Sequence, residues 1–172
     1  MPGNALRAAR RFIAVSFADR WLLAAALTDL MVTTAALRLV GFRRVLRHIE
    51  RKPPLLGPDV VTLDHARRAR RHDRSIGAAA RLPLVGGHCL QRSLALHRVL
   101  RRKGLPSELR IGVRRVDGRL AAHAWVELGP FLVNDRPAAV SQFTPLRDVH
   151  ALPGWAAAIG GAHGAAPRGS RV

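Results

Sequence analysis

Two runs of residues with alternating polarity, separated by Asp117 and Gly118, constrain the fold more than any other feature. Over 108–114, aliphatic residues alternate with charged ones, and a second run extends over 120–128. Alternation with period two is typical of a strand with one buried face, and Asp-Gly tolerates the positive φ angles of a two-residue turn. The sequence therefore predicts a β-hairpin, followed after a Gly-Pro turn by a third short strand over 131–134.

A helix is predicted just before this hairpin. The stretch over 89–103 places leucines at helical spacing and ends at Gly104, a residue that commonly terminates helices. A loop containing one proline and two glycines, over 83–87, precedes it. We expect this to be the core helix, with its apolar side against the sheet.

The first eighty residues are predicted to be mainly helical. Ser16 and Asp19 resemble a capping box ahead of an apolar run, which favours a helix from there to about Leu39. A second short helix is predicted over 43–51, before two consecutive prolines, and an arginine-rich, solvated helix over 64–80.

These elements predict one α+β domain with additions at its ends. We expect an N-terminal helical region and linker over 1–55, a core over 56–155, and a disordered, small and polar tail over 156–172. In the core, one helix packs on a small antiparallel sheet. The order of the strands is left open by the pattern.

The formal net charge of +18 points to three classes of anionic partner: nucleic acid, anionic membrane and acidic peptide. Binding of single strands uses aromatic platforms, whereas this chain has 5% aromatic residues and no tyrosine. We therefore expect no nucleic-acid partner. The alternative, that arginine has no binding role, has equal weight.

The chain has one cysteine, which excludes an internal disulfide and a thiolate zinc cage. We expect a cytoplasmic location, no metal and no cofactor. The apolar segment over 21–40 contains Asp29 and Arg38, whose burial in a bilayer costs about 2.5 to 3.5 kcal/mol each. It is predicted to be a packed helix, with an amphipathic helix lying on a membrane surface as the alternative.

Three residues have the chemistry and order of a nucleophilic site. Cys89 stands at a predicted helix start, where the helix dipole favours a thiolate. His123 lies on the second strand of the hairpin, and Asp135 ends the neighbouring strand, where its carboxylate could orient the imidazole. Each residue singly is more commonly structural, and it is the combination that predicts catalysis.

This order resembles the transglutaminase-like, papain-like cysteine protease superfamily. More narrowly, the chain is similar to the leader peptidases of lasso peptide biosynthesis. The similarity covers 82–135 and rests on Cys89-Leu-Gln-Arg-Ser-Leu-Ala-Leu, Gly104, Leu109-Arg-Ile-Gly-Val, His123-Ala-Trp-Val-Glu and Asp135.

The resemblance implies a role for each matching residue. Cys89 would be the nucleophile, His123 the general base and then acid, and Asp135 the residue that orients His123. Trp125 would line the site and Glu127 would be structural. The matching Arg92 and Ser93 would support the site or the helix packing.

The resemblance also implies partners. A leader peptidase of this kind acts on a precursor peptide and passes the core to an ATP-dependent lasso cyclase. Because 1–80 show no three-stranded recognition domain in the sequence pattern, a separate small leader-recognition protein is expected. Acidic leaders or an acidic partner would be attracted to the arginines.

Three other functions stay open on the sequence. An acyl transferase of the same superfamily would use the same three residues. A non-catalytic basic module would bind nucleic acid or membrane through the arginines over 67–74, independently of Cys89. A scaffold could hold the precursor without cutting it.

Overall fold

The computed structural model describes residues 17–82 and 88–147, which form a helical layer packed on one antiparallel sheet. The elements are α1 (Phe17–Val40), α2 (Phe42–Glu50), a 3-10 turn (Pro58–Val60), α3 (Leu63–Ala79), α4 (Cys89–Arg102), β1 (Ser107–Val116), β2 (Arg119–Leu128), β3 (Phe131–Leu132), α5 (Pro137–Val140) and β4 (Thr144–Pro145). The strand order is β3-β2-β1-β4. The predicted α+β class, with the cysteine-bearing helix on a small antiparallel sheet, is confirmed.

The β1–β2 hairpin has the predicted turn. Val116 pairs with Arg119 across a two-residue turn, and the pairing continues to Ser107 and Leu128. Asp117 and Gly118 both have positive φ angles, of 49° and 75°. This is the conformation of a tight hairpin turn whose twist matches that of the strands.

Helix α4 is the centre of the core. Leu94, Leu96 and Leu100 are fully buried, and the helix contacts β1 and β2 as well as α1, α2 and α3. Burying a leucine side chain contributes roughly 1.5–3 kcal/mol, so these contacts fix the helix firmly. The residues in the first turn of α4 are therefore held in place by the whole core.

Helix α1 packs on α3 and α4 through one face. Leu30 and Thr33 are buried there, and the carboxylates of Asp19 and Asp29 reach arginines of α3 and α4 respectively. Gly41, with a φ angle of 82°, ends the helix and turns the chain into α2. The short helix predicted after Gly41 is thus present, and the apolar segment of α1 is a helix packed on one side only.

Several details were missed from the sequence. Thr62 caps α3 through a reciprocal hydrogen-bonded pair with His65, in which a histidine takes the place of the usual Glu or Gln. The third strand ends at Leu132 instead of 134, and β4, α5 and the 3-10 turn were not predicted. Ser16, the loop over 83–87 and the tail over 156–172 lie outside the described residues.

Candidate cysteine active site

Cys89 is the first residue of α4, and it is partly buried. The preceding residue, His88, makes no side-chain capping hydrogen bond to the helix. The first N–H groups of a helix have no intrahelical partner and carry a partial positive charge, which favours an anion. The sulfur of Cys89 therefore lies where the backbone stabilises a thiolate.

His123 and Asp135 are brought to this sulfur by β2 and by the chain that leaves β3. The imidazole of His123 lies near enough to the Cys89 thiol to lower its pKa, while Nε2 of His123 bonds Oδ2 of Asp135. Because Nε2 faces the carboxylate, Nδ1 is the ring nitrogen left for the thiol. The second oxygen of Asp135 accepts a hydrogen bond from the backbone N–H of Arg136 at 2.7 Å, which fixes the carboxylate.

The pKa of the Cys89 thiol and the pKa of the His123 imidazole are shifted in opposite directions. Burial raises the pKa of the Cys89 thiol, but hydrogen bonds from His123 and from the backbone of Ala124 and Leu90 lower it further than burial raises it, so the net shift is downward. The hydrogen bond with Cys89, and after it the one with Asp135, raises the pKa of His123 despite burial. Both shifts favour a thiolate next to an imidazolium.

A buried hydrogen-bond chain connects the nucleophile's helix to the strand that ends at Asp135. Ser93, fully buried one turn after Cys89, donates to the carbonyl oxygen of Ala124 at 2.8 Å and accepts from the amide of Asn134 at 2.8 Å. The amide oxygen of Asn134 accepts from the backbone N–H of Val126, also at 2.8 Å. The position of Asp135 beside His123 is thus tied to α4 through Ser93.

On the face of β2 that carries His123, two aromatic rings pack against the imidazole. Phe143 lies with its ring centroid 5.2 Å from that of His123, and the buried Trp125 lies at 6.2 Å. Gly112 makes room for both, since a Cβ there would come within 2.8 Å of each side chain. Glu127 accepts from the indole of Trp125 at 2.9 Å and pairs with an arginine of β1, so it holds the tryptophan and does not contact the thiol.

Arg92 points away from the hairpin toward α3. Its guanidinium lies 3.6 Å from the carboxylate of Asp73 and rests against Gly77, where a Cβ would come within 3.1 Å. Burial raises the pKa of Asp73, Arg92 lowers it, and the nearby carboxylate of Asp135 raises it again. Arg92 is therefore a link between α3 and α4 close to the site, not a group beside the sulfur.

Among the described residues, no group of three or more His, Cys, Asp or Glu side chains could hold a metal ion. The arrangement contains a thiol whose pKa is lowered, an imidazole able to carry its proton, and a carboxylate that orients the imidazole. Such an arrangement can attack a carbonyl carbon and protonate a leaving group.

Comparison with known proteins places the chain in a family. The model of the transglutaminase-like superfamily matches residues 29–148, and the chain belongs to this superfamily. The superfamily includes cysteine peptidases and acyltransferases. Comparisons with curated proteins and with solved structures gave no match.

The seven residues singled out from the sequence lie in three places. Cys89, His123 and Asp135 come together at the first turn of α4, Trp125 and Glu127 follow His123 on the same face of β2, and Arg92 and Ser93 lie along α4. Sequence reasoning missed Asn134, Phe143, Gly112 and Asp73. The one available signal was the Asn-Asp pair, since an asparagine that ends a strand often bonds the backbone with its side chain.

Proposed function

We propose that this chain is a cysteine peptidase that removes the leader segment from a ribosomally synthesised lasso peptide precursor. The observation that carries the proposal is the contact of the Cys89 thiol with His123, itself bonded to Asp135. The resemblance of the sequence around these residues to lasso leader peptidases supplies the choice of substrate. The proposal includes a cytoplasmic location, a separate leader-recognition protein and delivery of the core peptide to an ATP-dependent cyclase.

In the proposed reaction, the thiolate of Cys89 attacks the carbonyl carbon of the leader–core peptide bond. The electron pair moves to the carbonyl oxygen, which becomes an oxyanion near the unpaired N–H groups at the start of α4. When the C–N bond breaks, the imidazolium of His123 gives its proton to the leaving amine. The leader stays bound to Cys89 as a thioester, and the core leaves with a free amino terminus.

The second half of the reaction regenerates the thiolate. His123, now neutral, takes a proton from water as the water oxygen attacks the thioester carbon, and the leader leaves as a carboxylic acid. Asp135 keeps the imidazole in the same orientation in both halves, because its two oxygens are held by His123 and by the Arg136 amide. No redox or cofactor step is needed for atoms and electrons to balance.

An acidic leader would be favoured by the surface charge. Arg67, Arg68 and Arg74 on α3 are exposed, and only Arg68 has an acidic partner among these three at ion-pair distance, Asp64 at 2.8 Å. Surface charges of one sign raise the association rate of oppositely charged partners. The sign of the charge favours acidic leaders or an acidic recognition protein over neutral ones.

The direct test is mass spectrometry of a candidate precursor incubated with this protein and a leader-recognition protein. We expect one cut at the leader–core bond with wild type and none with Cys89→Ala or His123→Ala. His48→Ala is the matched control, because His48 is exposed on α2, and it should cut normally. Cleavage by folded Cys89→Ala would end the peptidase proposal.

Addition of a primary amine separates hydrolysis from acyl transfer. If water is the acceptor, the leader carries a free carboxylate whether or not the amine is present. A leader–amine adduct as the main product would instead identify an acyl transferase of the same superfamily.

A further inference from the structure

Helix α1 turns an apolar face away from the other parts of the chain that the structure describes. Leu30 and Thr33 point into the core, whereas Trp21, Met31 and Leu39 have exposed fractions of 64%, 54% and 82%. At 100° per residue these three fall within one quarter of the helix circumference, and two alanines, a threonine and a valine lie among or beside them. A continuous apolar strip of this length on a protein surface indicates a binding surface. The strip is made up of Trp21, Ala24, Thr28, Met31, Val32, Ala35 and Leu39.

The charges of α1 are sorted around this strip. Asp19 bonds Arg71 of α3 at 2.7 Å, and Asp29 bonds Arg98 of α4 at 2.9 Å, so both acids of the helix face the domain. Exposed Arg20 and Arg38 stand at the two ends, about 27 Å apart at 1.5 Å per residue. The outward strip is thus apolar, free of negative charge and bounded by cations.

The side chains of the strip carry two hydrogen-bonding groups, the indole N–H of Trp21 and the hydroxyl of Thr28. This hydroxyl donates to the carbonyl oxygen of Ala24 in its own helix at 3.1 Å. Protein–protein interfaces typically contain about one hydrogen bond per 100–200 Å² of buried area. A face this poor in polar groups is suited to the acyl–headgroup boundary of a membrane, where tryptophan is enriched because its ring is apolar and its N–H is polar.

A groove beside the strip is also lined largely by apolar side chains. It has a volume of about 540 Å³ between α1, α3 and α4 and is lined by apolar side chains such as Leu22, Ile76 and Val99. The polar lining residues are His72, Arg102, Lys103 and Asp29, whose carboxylate is paired with Arg98 and Arg102. A largely apolar groove with cationic residues in its lining fits the acyl chain and the anionic headgroup of a lipid.

We propose that α1 lies flat on an anionic membrane, with the outward strip in the acyl–headgroup boundary and Arg20 and Arg38 among the headgroups. By length and composition the helix could cross a membrane, since an 18-residue window within Asp19–Val40 has a mean hydropathy of 1.6. Crossing would break the ion pairs of Asp19 and Asp29 and the burial of Leu30, whereas lying flat preserves them. The net charge of +18 favours an anionic surface over a neutral one.

The test is co-sedimentation of the full chain with vesicles of phosphatidylcholine alone or mixed with phosphatidylglycerol. We expect binding to the mixed vesicles that weakens with salt, together with a blue shift of tryptophan emission that Trp21→Phe removes. Met31→Glu with Leu39→Glu should abolish binding, while Val60→Glu, the same change at an exposed apolar residue elsewhere, should not. Arg20→Gln with Arg38→Gln should weaken binding roughly 30-fold, from about fivefold for each basic residue at an anionic surface.

Each contrary outcome overturns the proposal. Wild type that stays in the supernatant with both vesicle types would refute membrane binding. Sedimentation that survives Met31→Glu with Leu39→Glu would show that the strip is not the contact. If gel filtration shows a dimer that the same double substitution converts to a monomer, and vesicles bind neither form, the strip joins two copies of the chain. Circular dichroism confirms that each variant is folded.

Discussion

Ser93→Ala tests the buried chain of hydrogen bonds that connects Asp135 to the helix of Cys89. The hydroxyl makes two hydrogen bonds of 2.8 Å, to the carbonyl oxygen of Ala124 and from the amide of Asn134. Both partners lose their bond in the variant, and a buried polar group left without a partner costs about 1–3 kcal/mol. We expect the free energy of unfolding to fall by about 3 kcal/mol. For a chain of this length, that lowers the melting temperature by roughly 6–12 °C.

Differential scanning calorimetry of wild type and variant measures this loss. Ser141→Ala is the matched control, because its hydroxyl donates one exposed hydrogen bond of 3.2 Å to Ala138, and its removal should change stability by less than about 0.5 kcal/mol. A loss of stability for Ser93→Ala no larger than for Ser141→Ala would refute the claim that Ser93 makes two stabilising buried hydrogen bonds. Because Asn134 then loses its anchor, cleavage should also slow while the thiol stays accessible.

The remaining predictions concern the carboxylate and the aromatic packing around His123. Asp135→Asn removes the negative charge that helps raise the His123 pKa, so the alkaline limb of the pH–rate profile should move to lower pH and cleavage should slow about 10²- to 10⁴-fold; an unmoved limb would contradict the assignment. Gly112→Ala drives a Cβ to within 2.8 Å of two aromatic side chains and should cost about 1–3 kcal/mol in urea unfolding. Gly57→Ala, whose nearest neighbour atom lies at 3.6 Å, should cost less, and equal losses would argue against tight packing at Gly112.

Local patterns were enough to predict most of the fold. The hairpin follows from alternation and from the Asp117-Gly118 turn, and α4 follows from leucine spacing closed by Gly104. What the pattern could not supply was β4, whose two residues pair with Gly112 and Val113 from more than thirty positions away. Such a short strand has no periodicity of its own, and only tertiary pairing defines it.

The residues of the candidate site fall into the same two groups, those that local sequence patterns predict and those that only the folded structure reveals. Chemistry and chain order single out Cys89, His123 and Asp135, because thiolate formation depends on a helix start and on an imidazole. The supporting residues depend on distances across the fold, such as Asn134 to Ser93, forty-one positions apart. Nothing in a local pattern predicts that contact. Likewise, the outward strip of α1 became visible only once its buried face was known.

The thiolate–imidazolium pair is tested most directly by the pH dependence of alkylation of Cys89 with iodoacetamide. The chain has one cysteine, so every adduct found by mass spectrometry reports on this residue, and Cys89→Ala should form none. Because the pKa of the thiol is lowered from its ordinary value of 9.0, alkylation should persist well below that pH and fall off only as pH drops through the lowered pKa. His123→Ala should move this rise back toward the ordinary value. Identical profiles for wild type and His123→Ala, both rising near 9.0, would contradict the account.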